Sequence, residues 1–179
     1  NEVKNFAGFI STGGLNGQGL TDAYAQVITN NQPAYTYYLY EWRGYDASGN
    51  SIYTDANGDP TGLGTASKHL LDKQPLPKVN VGFSTSVSYK QFDASVSFYG
   101  AFGHYIYNNT ANALLLKGSL RNARNVTYAI GNGPENPFNP GSVSTRFLEK
   151  GDFIRLANMN LSYAFDIKSG KAIKTLTAF

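Results

Sequence analysis

Residues 79–103, VNVGFSTSVSYKQFDASVSFYGAFG, alternate between apolar and polar side chains over two runs broken only at Lys90-Gln91. In the first run Val79, Val81, Phe83, Thr85, Val87 and Tyr89 fall on one face of a strand. Asn80, Gly82, Ser84, Ser86 and Ser88 fall on the other. The two-residue link leaves room only for a tight hairpin, so strands are predicted over residues 78–89 and 92–102. Residues 146–166 predict a further long strand, with Ala157, Met159, Leu161, Tyr163 and Phe165 set against Asn158, Asn160, Ser162 and Ala164. Arg155 shares the apolar phase of that strand, so it should lie near the rim of an apolar band or be turned inward by a bulge. A turn at Lys168-Ser169-Gly170-Lys171 leads to a last strand from Ala172.

Earlier in the chain, residues 33–44, PAYTYYLYEWRG, read as a strand with aromatics on both faces. Turn chemistry at Ser48-Gly49-Asn50 and at Asn57-Gly58-Asp59-Pro60 predicts a short hairpin with residues 51–54 as its second arm. Helical periodicity is nearly absent. Its best candidate is residues 20–30, where Thr21 or Asp22 could cap a turn or two. Residues 104–144 show no sustained alternation and are rich in Asn, Gly and Pro. A loop of about forty residues far exceeds ordinary connections inside a compact domain.

Strands of roughly ten residues exceed the usual length in globular proteins and match a tilted crossing of a bilayer. One very short turn and one very long loop is the asymmetry of outer-membrane barrels. Two readings compete. In a soluble sandwich the polar phase would face water and would usually carry Lys and Glu. Here it is small and almost uncharged, and only 15% of the chain is charged. In a barrel the apolar phase faces lipid and the polar phase faces the lumen, with Tyr89, Phe92, Phe102 and Tyr105 at the interfacial girdles.

Composition narrows the chemistry. Aromatics reach 14%, with 13 Tyr and 11 Phe, which suits β-structure. The net charge is +3 with no Lys/Arg cluster, which gives a nucleic-acid groove no support. The absence of cysteine excludes a disulfide framework and any thiolate metal site. Asp55, Asn57 and Asp59 place oxygen ligands at alternate positions, as the first half of a calcium loop does. An EF-hand would continue with Gly and later Glu, where this chain has Pro60 and Ala66. An Asx/Gly turn is the favoured reading there, with a calcium-stabilised loop as the alternative. His69 and His104 are too far apart in sequence to suggest a zinc site. Glu41, Glu135 and Glu149 could be imagined as a glycosidase pair, but they lie on separate segments without a supporting motif. No nucleophile elbow or phosphate loop is present, and an enzyme is not expected. Trp42, Tyr105, Tyr107 and Tyr128 lie near predicted strand ends or in loops. They are the candidates for stacking against substrate sugar rings, with an interfacial girdle or loop packing as the competing role.

Four segments in order carry a family resemblance. TYYLYEWRGYDASGNSIYTDANGD, LPKVNVGFSTSVSYKQFDASVSFYGAFGHYIYN, NPGSVSTRFLEKGDFIRLANMNLSYAF and the terminal IKTLTAF resemble the SusC/RagA-like family of TonB-dependent outer-membrane transporters. The resemblance covers most of the chain after Tyr35. It implies an all-β fold, with antiparallel strands forming part of a large transmembrane β-barrel with long extracellular loops. It also implies a plug, energised import through TonB, a SusD-like surface lipoprotein as lid, and substrates that are mostly oligosaccharides and sometimes peptides. No cofactor is required. On this expectation residues 1–179 are a late-barrel stretch of a longer transporter, without plug or closing strands. The turns at Lys90-Gln91 and at residues 168–171 should be periplasmic. Residues 44–77 and 104–144 should be extracellular loops, the second being the place to touch the lid or the substrate.

Overall fold

A computed structural model describes residues 1–17, 20–166 and 175–178. The chain runs through β1 (Phe9–Gly14), β2 (Tyr24–Thr29), β3 (Thr36–Tyr40), β4 (Trp42–Tyr45), β5 (Ser51–Thr54), β6 (Pro60–Thr61) and β7 (Lys68–Leu70). It continues through β8 (Val79–Tyr89), β9 (Phe92–Phe102), β10 (Tyr105–Tyr107), α1 (Asn109–Leu114) and α2 (Tyr128–Gly131). Last come β11 (Leu148–Lys150), β12 (Phe153–Asp166) and β13 (Thr175–Ala178). Neighbouring strands pair antiparallel throughout the described sheets. The chain forms two compact units: Asn1–Leu76 with His104–Lys150, and Pro77–Gly103 with Gly151–Phe179.

The second unit is one sheet in the order β13-β12-β9-β8. The predicted hairpin is present, with Tyr89 paired to Phe92 across Lys90-Gln91. Lys90 takes a φ of 55°, as the first central residue of a primed two-residue turn does. Directly paired residues share a face, so the register sorts the side chains. On one face Val81, Phe83, Thr85, Val87 and Tyr89 meet Gly100, Phe98, Val96, Ala94 and Phe92. The same rows continue on β12 as Ile154, Leu156, Met159, Leu161 and Tyr163. The opposite face carries Asn80, Gly82, Ser84, Ser86 and Ser88 against Ala101, Tyr99, Ser97, Ser95 and Asp93. It continues as Phe153, Arg155, Asn158, Asn160 and Ser162.

That sorting depends on a bulge. Leu156 pairs with Phe98 and Asn158 with Ser97, so Ala157 is the extra residue on β12. It shifts the phase of everything before it. Ile154 and Leu156 therefore join the apolar face, and Arg155 joins the polar one. Ala157 itself is not part of a continuous apolar phase with Met159, as the sequence pattern suggested. The apolar face lies open, with Phe83 61%, Val87 64%, Ile154 67% and Met159 72% exposed.

The first unit has a closed core. Leu20, Ala25, Tyr37, Leu39, Leu71 and Val143 are buried together, with Leu15, Ala23, Tyr105, Tyr107 and Leu148 packed against them. A spine of backbone bonds holds it. Tyr37 N–H donates to Lys73 O, Leu71 N–H to Tyr37 O, and Tyr105 N–H to Gln74 O. Residues 104–144 are tied into this unit and contain β10, α1, α2 and a 3-10 turn.

Three expectations change. Residues 20–30 are not helical: Tyr24–Thr29 is β2, with Ala25 and Val27 buried at period two. The run Val27-Ile28-Thr29 is β-branched and pairs with β1, while Asp22 adopts a φ of 54° instead of capping a helix. The aromatic run of residues 33–44 splits at Glu41, because β3 pairs with β2 and β7 whereas β4 pairs with β5. The strand expected over residues 146–166 is likewise divided, with a 3-10 turn at Thr145–Phe147, then β11, then β12. The predicted turn at residues 168–171 lies outside the described residues. Leu39 is fully buried. Leu39→Ala should lower stability by about 2–5 kcal/mol, read as an earlier unfolding transition of the purified full-length protein.

Candidate functional site

In the first unit Trp42, Tyr45 and Phe147 gather around one buried ion pair. Glu135 is 4% exposed, in the long segment between β10 and β11. Arg146 reaches it with a two-pronged contact, Nη1 donating to Oε1 at 2.8 Å and Nη2 to Oε2 at 2.9 Å. The Lys117 backbone N–H also donates to Glu135 Oε2. The guanidinium lies 5.6 Å from the Trp42 ring, 5.5 Å from Tyr45 and 5.0 Å from Phe147. Such a planar, delocalised cation suits a site that is part aromatic and part carboxylate. Burial works against the Arg146 charge, but the Glu135 contact more than offsets it and its pKa is raised. Burial pushes the Tyr45 hydroxyl up to about 12, with Arg146 pulling it down and Glu135 pushing it up.

The candidate stacking residues are not brought into one place. Trp42 belongs to the Arg146 cluster; it is half-buried and packs edge-on against Tyr45 at 5.2 Å. Tyr105 and Tyr107 are two apart on β10 and line one cavity with Tyr37, Gln26 and Pro75. Tyr37 donates its hydroxyl to Tyr105 O at 2.9 Å. Tyr107 accepts from Asn112 Nδ2, and burial raises its pKa. Tyr128 opens α2 and is 87% exposed. Glu149 accepts from Asn108 Nδ2, while the Glu135 carboxylate is taken up by Arg146. A further cation, Lys68, sits 4.3 Å from the Tyr24 ring, with Tyr38 and Tyr40 beyond, and burial lowers its pKa. The sequence offered one signal for the Arg146–Glu135 pair: where charges are scarce, each is worth tracing to a partner.

The calcium candidate folds as a turn. Asp55 Oδ1 accepts from the backbone N–H groups of Asn57 and Asp59 at 2.8 and 3.0 Å. The DASGN segment does the same, with Asp46 Oδ1 accepting from Ser48 and Asn50, both at 2.8 Å. Gly58 and Gly49 take φ of 90° and 80°, the left-handed turn position in each. The first turn is docked: Asn136 N–H and Asn139 Nδ2 both donate to Gly49 O. Among the described residues no group of three or more His, Asp and Glu side chains is gathered to hold a metal.

An antiparallel sheet of long strands, open on both sides and apolar on one, is the wall architecture of a membrane β-barrel. No family model matches the chain. Curated relatives agree with the architecture. Over 143 residues, 74% of this chain, it is 27% identical to the TonB-dependent receptor SusC of Bacteroides thetaiotaomicron. Over 127 residues it is 31% identical to the TonB-dependent receptor P26 of Formosa agariphila. The chain spans only 14% and 12% of those two proteins. Among solved structures, the RagAB peptide importer in its open-open state matches 87% of this chain and 20% of its own, at a TM-score of 0.66 and 17% identity. The RagAB peptide transporter matches at a TM-score of 0.61 and 19% identity, over 86% of this chain and 20% of its own. The chain is thus similar in sequence to TonB-dependent receptors and in fold to the RagAB importer.

Two outcomes follow from the geometry. Glu135→Gln leaves the Arg146 charge buried without its counter-charge and should cost about 3–5 kcal/mol. Replacing both partners with Leu and Met should recover much of that loss in thermal unfolding. The hydrogen bonds of both turns hold the Asp46 and Asp55 carboxyls below the ordinary aspartate pKa. Their contribution is therefore present above that ordinary value and lost as pH falls through the lowered one. The protection factors of the Ser48 and Asn50 amides should hold above the ordinary aspartate pKa of about 4 and fall as pH drops through the lowered one; in Asp46→Asn that acid-dependent loss should vanish.

Proposed function

We propose that this chain forms part of the wall and outer surface of a TonB-dependent outer-membrane importer. Its cargo is oligosaccharide, with peptide as the second class. The observation that carries the reading is the β8-β9-β12 sheet, one face of which is apolar on all three strands while the other is largely Ser and Asn, with Asp93 and Arg155 as the charged residues of its paired rows. A soluble sandwich would bury Val81, Phe83 and Val87 under a second layer, and these are 46%, 61% and 64% exposed. Lipid satisfies such a face; β9 is paired on both edges, and the outer edges of β8 and of β12 before Tyr163 are where neighbouring strands of the barrel would pair, as a bilayer demands.

In this reading residues 1–179 belong to the barrel of a longer protein whose plug engages TonB. Lys90-Gln91 is a periplasmic turn, residues 104–144 belong to the extracellular surface, and a SusD-like lipoprotein closes over it. The exposed Tyr128 is the best placed of the four aromatics to stack on arriving cargo, whereas Trp42 chiefly supports Arg146. The peptide class is supported by the RagAB importer, which shares the fold. The role is transport, not catalysis, and needs no cofactor; a calcium-held Asp55–Asp59 loop remains the alternative to a bare turn.

Orientation can be tested in the full-length protein. Val96 lies in the central row of the apolar face, and Ser97 follows it on the opposite side. Val96→Arg should cost about 2–4 kcal/mol in the membrane, seen as loss of the folded, heat-modifiable form in outer-membrane fractions. Ser97→Arg should fold normally. Equal tolerance of both arginines, or the reverse order, would overturn the barrel reading, as would a chain that folds as a monomer in water without detergent.

A further inference from the structure

The bulge at Ala157 does more than restore register. Without it, Arg155 would continue the phase of Met159 and Leu161 and enter the apolar face. With it, Arg155 stands on the polar face in one row with Tyr99 and Gly82. Bulges of this kind are a device for re-aiming one side chain. The guanidinium lies 4.8 Å from the Tyr99 ring, and Tyr99 is itself braced edge-on by Phe153 at 5.6 Å. Gly82, the third member of the row, leaves open space where a side chain would stand. Arg155 is exposed, and among the described residues no carboxylate lies within 4 Å of it. Asp93, the acidic residue of this face on β9, is at the far end of the strand from Arg155 and is engaged by Ser88.

A fork-shaped cation braced on an aromatic ring beside an open notch is suited to a planar anion. We infer that Arg155 is a specificity-determining residue that binds a carboxylate of the passing cargo, with the Tyr99 ring holding the guanidinium in place. The inference rests on the proposed importer and on its polar face lining the lumen. Two cargo chemistries supply that carboxylate: a uronic acid in an oligosaccharide, or the carboxyl terminus of a peptide.

The test measures uptake by cells carrying the full-length protein with four probes. These are an oligouronate, its methyl ester, an N-acetylated peptide with a free carboxyl terminus, and the same peptide as its amide. Arg155→Gln should lower uptake of a carboxylated probe about tenfold, and leave its neutral partner within about twofold. Arg155→Lys, which keeps the charge but not the fork, should fall between. A loss confined to the oligouronate assigns an acidic sugar, and one confined to the free peptide assigns a peptide. The inference is overturned if the unsubstituted protein does not prefer a carboxylated probe to its neutral partner. It is equally overturned if Arg155→Gln lowers charged and neutral probes alike, which would place the arginine against another part of the protein. The Val96 and Ser97 arginines report on orientation separately, so a failure of the barrel reading is not confused with a failure at Arg155.

Discussion

A sheet that buries neither face has to find its stability in what surrounds it. The central strand β9 is paired on both edges, by β8 and β12, but the apolar face of Val81, Phe83, Met159 and Leu161 is covered by no second layer of the described chain. In water that face would expose a large continuous apolar patch, the condition that drives association. In a bilayer the same face costs nothing to leave bare, because lipid tails replace the missing layer. The remaining properties of this unit follow: long strands, a two-residue turn, and a polar face that can dispense with charge.

The other unit buries a core of its own. Its core is small and closes around Tyr37 and Leu39, both almost wholly buried. It is held less by area than by specific pins: the Tyr37 hydroxyl on Tyr105 O, the Asp46 turn on Asn136 and Asn139, and Arg146 on Glu135. These pins connect short strands to a segment poor in regular structure. A connection of that length stays ordered because its polar side chains are spent on backbone groups, as Asn108 and Asn136 show.

The strands of the second unit were legible because their signal is local. Alternation at period two specifies a face wherever one side is apolar, and residues 79–89 and 92–102 each carry it. What escaped was anything that depends on a partner strand. The Ala157 bulge cannot be read from its own strand, since small Ala fits either phase and only the pairing with β9 shows the extra residue. The pattern did flag Arg155 as a misfit that needed a rim or a bulge, and the bulge is what resolves it. Residues 20–30 misled because the spacing of Ala23 and Val27 suits a helix as well as a strand, and pairing with β1 decided between them. The Arg146–Glu135 contact was hidden for the same reason: its partners meet only after the segment between them has folded back.

The two DAxGx turns share one local design and part company in their surroundings. A side chain at Gly49 would collide with Pro134 O and Asn136 N, whereas one at Gly58 would meet nothing within 4 Å. One turn is therefore a fastener and the other a free end of the same three-stranded sheet. A peptide epitope spliced at Asn57-Gly58 would be carried without disturbing the unit beneath it. The identical insertion nine residues earlier would pry the long loop from its mooring.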